Sequence, residues 1–146
     1  MDVLGPLLLV VGAHASSAIC AGHYAGLWKV LSEHDERKWS LQELCEAADC
    51  KERWVREWVG VMAGAGIIKL EEGMIISVSP EVAAELHPDK ELICFFSSLE
   101  YCFDKEPKIG TCFKKSGPLG VPYSEYPNFQ DWMASWSESR NKAQES

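Results

Sequence analysis

The chain of 146 residues is the size of one domain, and its 47% hydrophobic and 25% charged residues are typical of a globular protein with one core. Its formal net charge of −8 disfavours nucleic acid as a partner, because affinity for DNA comes largely from Lys and Arg that neutralise phosphates. The composition therefore excludes a disordered chain and a broadly basic protein, although it leaves room for a local basic patch.

The N-terminal segment "VLGPLLLVVGAHASS" is apolar, and Ala13-His14-Ala15 has the pattern of a signal-peptide cleavage site. Asp2 precedes the run, no basic residue does, and the apolar character continues without a break into "AICAGHYAGLWKVL". The run is also shorter than the ~20 residues that cross a bilayer. We therefore expect a cytoplasmic protein without a membrane segment, and a cleaved signal peptide is the less favoured alternative. Residues 4–32 are predicted to form two helices with a bend near Ala21-Gly22.

The cysteines and histidines do not form a recognisable metal or catalytic pattern. The six cysteines lie at positions 20, 45, 50, 94, 102 and 112, without the close pairs from which structural zinc sites are built. None of the four histidines has an acidic or cysteine partner at the spacing of a triad or a metal site. We expect reduced thiols, no metal and no catalytic residues in this chain.

The centre of the chain predicts two helices followed by a hairpin. Ser40-Leu-Gln-Glu43 is a capping box that opens the first of these helices. The second helix, over about 51–65, ends at Gly66, a residue that tolerates positive φ. Its apolar stripe consists of Val55, Trp58, Val59 and Met62. The segment "IIKLEEGMIISVS" then predicts two short strands around a turn at Glu71-Glu72-Gly73.

This order of elements is that of a winged helix. The predicted fold is therefore mainly α, a winged helix-turn-helix with a small β-hairpin wing and flanking helices. We divide the chain into N-terminal helices (1–34), a winged-helix core (35–88) and a C-terminal part (89–146). The C-terminal part is predicted to hold a helix over 89–104, a Gly/Pro-rich linker and a final helix near the end of the chain.

A winged helix often binds DNA, but the residues of this one do not favour that function. On the second helix Arg53 and Arg56 are offset by neighbouring Glu52 and Glu57. The wing tip carries Glu71-Glu72, where a DNA-reading wing offers cations to phosphates. The pattern therefore favours a winged helix used as an interaction module.

Three segments together resemble a known family: "AGHYAGLWKVL", "SLQELCEAADCKERWVREWVGVMAGAGIIKL" and "SVSPEVAAEL". They are similar to the N-terminal winged-helix domain that precedes the catalytic domain of class I S-adenosylmethionine-dependent methyltransferases. The later segment "CFKKSGPLGVPYSEYPNFQDWMA" resembles the linker that leads toward that catalytic domain. The resemblance covers about residues 18–140.

The resemblance implies a domain that mediates dimer contacts and closes one side of a substrate pocket. It implies S-adenosylmethionine as the cofactor of full-length relatives, and it identifies Tyr123 and Tyr126 of the linker as substrate-facing residues. The alternative for both tyrosines is that they only anchor the loop. The family's cofactor-binding strand and its acidic-x-Gly-x-Gly turn, expected after residue 140, are not among these 146 residues. We therefore expect no cofactor binding and no catalysis from this chain alone.

Three interpretations stay open. The favoured one is an accessory domain, from a fragment, a truncated isoform or a degenerate paralogue, that forms a homodimer or pairs with a full-length methyltransferase relative. The second is a truncated product of an intact small-molecule methyltransferase. The third is a small winged-helix transcription regulator that binds DNA.

Overall fold

The computed structural model describes residues 4–34, 36–101 and 105–145 of the chain. The α-helices are α1 (Leu4–Tyr24), α2 (Leu27–Glu33), α3 (Leu41–Ala47), α4 (Glu52–Gly64), α5 (Pro80–Glu85), α6 (Glu91–Ser97), α7 (Glu106–Cys112) and α8 (Phe129–Glu145). The strands are β1 (Trp39–Ser40), β2 (Lys69–Glu71) and β3 (Ile75–Ser77), and 3₁₀ turns cover Ser98–Tyr101 and Tyr123–Glu125. The mainly α prediction of a winged helix-turn-helix is confirmed.

The helix-turn-helix follows the local sequence closely. Ser40 is the N-cap of α3: its Oγ accepts from the backbone N–H of Glu43 at 3.2 Å, and the Glu43 carboxylate accepts from the Ser40 N–H at 2.8 Å. The predicted capping box is therefore present. The predicted stripe of α4 is buried in the core, and Gly66 has φ +74° just beyond the helix end.

The wing is a three-stranded antiparallel sheet in the order β1-β3-β2. In β3, Ile76 pairs with Leu70 on one side and with Trp39 on the other. Ile76 and Trp39 are both buried, so the sheet closes the core on its inner face. The hairpin was predicted, but β1 was not, because two residues are too short to show an alternating pattern.

The boundary between α1 and α2 lies later than predicted. Helix α1 continues through Ala21-Gly22 to Tyr24, and the chain turns at Gly26, which has φ +75°. The prediction of a bend near Gly22 is wrong because this glycine is a packing contact. A Cβ atom on Gly22 would lie 2.6 Å from the Trp58 ring, so only glycine lets α4 approach α1 this closely.

Helix α1 is longer than the apolar run that indicated it. It has 21 residues and a mean hydropathy of 1.7, which is long and apolar enough to cross a membrane by length and composition. The expectation that the run is too short to span a bilayer is therefore wrong for the helix that contains it. Signal sequences and core helices have the same properties, so the helix does not by itself assign a membrane span.

The C-terminal part packs on the winged helix through α6. Helix α6 is shorter than the helix predicted over 89–104, because it ends at Ser97 and a 3₁₀ turn follows. Residues 102–104 of that prediction lie outside the described ranges. Trp132 of α8 donates from Nε1 to the Cys94 carbonyl at 2.9 Å, and Trp136 donates to the Glu91 carboxylate at 3.1 Å. Helix α6 in turn packs against α1. The C-terminal helix is thereby joined to the N-terminal one.

Candidate functional site

A groove of about 510 Å³ lies between the C-terminal half of α1 and the solvent-facing side of α4. Its walls are formed by Ala18, Ala21, Ala25, Leu27, Asp49, Cys50, Lys51, Trp54, Val55, Glu57, Trp58 and Val61. Trp54 is 70% exposed and Val61 is 44% exposed. The groove can therefore receive an apolar body, and its volume is in the range of pockets that hold whole ligands.

Two tryptophans fix the floor of the groove. Trp58 donates from Nε1 to the Ala18 carbonyl at 2.8 Å, and Trp28 donates to the Ile19 carbonyl at 2.9 Å. The two rings meet edge to face with their centroids 5.0 Å apart. These contacts join α1 to both α2 and α4, so packing and hydrogen bonds set the spacing of the groove walls.

A second, more polar cleft of about 280 Å³ lies where α1, α6 and the start of α8 meet. It is lined by His23, Tyr24, Cys94, Ser97, Asn128, Asp131, Trp132 and Ser135. Sequence reasoning missed this cleft, because its residues come from three elements far apart in the chain and show no motif. In the sequence, His23 has no Cys or acidic partner at the spacing of a known motif. The fold nevertheless places Cys94 and Asp131 in the same cleft as His23.

His23 is the titratable side chain that the cleft perturbs. Its Nδ1 is buried and has no hydrogen-bond partner among the residues that the structure describes. Burial lowers the pKa of His23, so the imidazole is neutral at physiological pH. The cleft therefore presents a neutral imidazole together with hydroxyl, amide and carboxylate groups that can bind a polar molecule.

The predicted substrate-facing residues, Tyr123 and Tyr126, lie together on the linker. Both rings have their centroids 6.0 Å from that of Phe129. Tyr123 is 78% exposed, and the Lys105 Nζ lies 6.0 Å from the ring centroid of Tyr126. Neither tyrosine lines the groove or the polar cleft. Their contact with Phe129 suits loop anchors, and their role toward a substrate stays a prediction.

The wing and α4 each contain an ion pair between their own residues. Lys38 donates to both oxygens of the Glu71 carboxylate at 2.8 and 3.0 Å, and these bonds lower the pKa of Glu71. Arg56 pairs with Glu52 one helical turn away on α4. One of the two arginines of α4 is thus paired with a carboxylate of the same helix.

The cysteines were predicted to be reduced and the chain to hold no metal. Among the residues that the structure describes, Cys20, Cys45, Cys50, Cys94 and Cys112 carry thiols that form no disulfide, and Cys102 lies outside that part of the chain. Within the described ranges, no three His, Cys, Asp or Glu side chains lie close enough together to hold a metal ion.

Comparison with known proteins identifies the winged-helix part. A family model described as the Rv2258c-like winged HTH domain matches residues 13–86, which run from within α1 to the end of α5. A search of curated proteins found no match.

Two solved structures share the fold over almost the whole chain. The S-adenosylmethionine-dependent methyltransferase SibL, in its apo form, has a TM-score of 0.68 and 15% identity, and the match covers 97% of this chain and 45% of that one. CalO1, a methyltransferase in calicheamicin biosynthesis, in its SAH-bound form, has a TM-score of 0.66 and 14% identity, with 99% and 47% covered. At these identities the likeness shows the fold alone. This chain spans less than half the length of either structure. The winged-helix domain that the sequence resemblance indicated is confirmed by the family model.

Proposed function

Because this chain belongs to the Rv2258c-like winged HTH domain family, we propose that it is the accessory domain of a methyltransferase-like protein. In this role it mediates dimerisation and covers one side of a substrate pocket, and it transfers no methyl group by itself. The S-adenosylmethionine site belongs to a catalytic domain that acts together with these residues, in the same chain or in a partner. We place this function in the cytoplasm, where free thiols persist.

The coverage of the structural matches carries the proposal. Nearly all of this chain aligns with methyltransferase structures, at 97% and 99%, whereas less than half of each of those structures is matched. Such a pattern is typical of a chain that supplies one part of a larger enzyme.

The geometry of the C-terminal side supports a role in covering a pocket. Two lining residues of the polar cleft, Asn128 and Asp131, follow closely in the chain after the linker that holds Tyr123 and Tyr126. A substrate bound between this face and a catalytic domain would meet the hydrogen-bonding groups of Ser97, Asn128 and Asp131.

Isothermal titration calorimetry with S-adenosylmethionine tests the non-catalytic part of the proposal. We expect no saturable heat from the 146-residue chain, because the family's acidic-x-Gly-x-Gly cofactor turn is not among its residues. A complete S-adenosylmethionine-dependent methyltransferase, titrated in the same buffer, is the positive control. Tight, saturable binding to this chain would contradict the proposal.

A further inference from the structure

We propose that α1 pairs antiparallel with α1 of a second copy of this chain, so that the N-terminal half of each helix fills the groove between α1 and α4 of the other. This inference rests on the proposed dimerisation and names the surface that performs it.

The N-terminal half of α1 leaves large apolar side chains in solvent. The exposed ones are Leu4, Leu7, Leu8, Leu9, Val10 and Val11, with exposures between 51% and 76%. A helix that is apolar on all sides is normally buried, and a contiguous exposed patch of this kind marks an interaction surface. This end of α1 is therefore a surface that needs a partner.

The charge of the chain makes α1 the surface on which two copies can meet. Each copy has a formal net charge of −8, so two copies repel each other over most of their surface. From Leu4 to Trp28 the chain contains no Asp, Glu, Lys or Arg. Contact through α1 is therefore the approach that brings the fewest like charges together.

The face of α1 that continues the groove has two complementary halves. Its residues alternate in spacing between four and three positions, the pattern of a helix-pairing seam: Leu7, Val11, His14, Ala18, Ala21 and Ala25. The first half carries large aliphatic side chains and the second half carries alanines, with Ala25 just beyond the helix end. Small residues let another helix approach closely, so the second half forms holes for the first.

An antiparallel pair about a two-fold axis at the level of Ser16 matches these halves. In that register Leu7 lies opposite Ala25 of the second copy, and Val11 lies opposite its Ala21. The symmetry repeats both contacts, as in any isologous dimer. Large side chains thus meet small ones along the whole seam.

The pairing also brings exposed side chains of α4 into contact with the second copy. Each copy contributes an apolar helix end and a groove wall that includes Trp54 and Val61, two exposed side chains of α4.

Sedimentation equilibrium of two matched variants tests the seam. Val11→Glu places a carboxylate on the seam, whereas Leu9→Glu places one on the opposite face of α1, at a side chain that is more exposed. We expect Val11→Glu to weaken dimerisation by ~100-fold or more, because it buries unpaired charge at both ends of the seam. Leu9→Glu should leave the dimer intact. Circular dichroism should show the same helix content in both variants, since neither side chain is buried in the single chain.

A charge-reversal rescue tests the register. In Val11→Glu/Ala21→Lys each Glu faces a Lys of the other copy, so dimerisation should recover. Within one chain the two positions are about 15 Å apart along the helix and cannot pair. The control Val11→Glu/Leu9→Lys carries the same charges, but its Lys lies on the opposite face of α1, so it should stay dissociated. Equal recovery in both double variants would overturn the register.

The remaining outcomes separate this inference from the proposed function. A monomeric wild type would contradict both the proposed dimerisation and the seam. A wild-type dimer that survives Val11→Glu would overturn the seam while leaving dimerisation through another surface. Flotation of the wild type with phosphatidylcholine vesicles, lost in both single variants, would show that the helix end inserts into a bilayer and would also overturn the seam.

Discussion

Gly22 shows how one absent side chain decides where two helices meet. The Trp58 ring occupies the space that a Cβ would need, and the same ring donates a hydrogen bond to the Ala18 carbonyl one turn earlier. Gly12 lies on the same helix and has nothing within 4 Å of the corresponding position. Replacing Gly22 and replacing Gly12 with a larger residue should therefore change the stability in opposite directions.

Gly22→Ala should destabilise the fold by about 1–3 kcal/mol, because the added methyl group overpacks the contact with Trp58. Gly12→Ala should instead stabilise it by about 0.5–1 kcal/mol, since alanine is the better helix former where space is open. Urea denaturation followed by circular dichroism measures both changes. Shifts of the same sign in the two variants would contradict this account.

Glu43 is the side chain whose ionisation the fold favours most clearly. The Ser40 backbone N–H, the Ser40 hydroxyl and the Arg37 guanidinium hold the pKa of Glu43 at about 2, below its ordinary 4.5. The folded state thus favours the ionised carboxylate. The stability that this provides is complete above pH 4.5 and is lost as the pH falls from 4.5 through about 2.

Glu43→Gln should therefore lower the free energy of unfolding at about pH 6 and have a progressively smaller effect as the solution is acidified below pH 4.5. Urea denaturation of the variant and the wild type at several pH values gives this difference directly. Glu57→Gln, which removes an exposed carboxylate from α4, is the control for the loss of one negative charge. A constant gap between wild type and Glu43→Gln down to pH 2 would show that the capping box is not its source.

Residue-scale features were predictable when their cause was local. The capping box and the buried stripe of α4 could be recognised because each lies within one element and follows a known spacing. The role of Gly22 could not, because it depends on Trp58 in another helix. A glycine inside an apolar helix has the same local signature whether it permits a bend or a close contact.

At the scale of elements, α4 has two apolar surfaces with different uses. Val55 and Trp58 face the core, whereas Trp54 and Val61 line the groove and stay exposed. The apolar stripe predicted the first surface, which includes Trp58, but it did not include Trp54 or Val61. Which tryptophan is buried depends on where α1 crosses α4. The periodicity of α4 alone cannot show that position.

The elements that were missed or shortened share one cause. β1 has two residues and α7 has seven, so each is too short for a periodic pattern to distinguish it from a loop. Packing holds β1, whose Trp39 is buried in the core. Helix α7 has no buried residue of its own, although Lys105, which precedes it, is buried. Tertiary contact rather than propensity therefore sets the bounds of β1.

For the whole molecule, family membership was recognisable from a combination of motifs, whereas the two clefts were not. The polar cleft depends on α1, α6 and α8 meeting in space, and the α1–α4 groove depends on the close approach at Gly22. Neither arrangement is contained in the spacing of the motifs. The linker tyrosines were identified by resemblance alone, and their part in a substrate pocket remains a prediction.

Charge also acts at this scale and leads to a prediction about DNA. We expect no retardation of duplex DNA in a gel shift even at low salt, because the net charge of −8 repels phosphates and Lys38 and Arg56 are paired with carboxylates. A basic winged-helix DNA-binding protein, run under the same conditions, is the control. Retardation that weakens steeply with added salt would favour a transcription regulator.

Ser40 links two parts of the winged helix that are usually described separately. It is the last residue of β1 and also the N-cap of α3, so a single residue sets both the register of the sheet and the rotational phase of the helix. A slip of β1 by one residue would turn Trp39 away from the core and move the cap to a residue without a hydroxyl. We therefore expect the amides of the wing and of α3 to exchange their hydrogens together, as one cooperative unit.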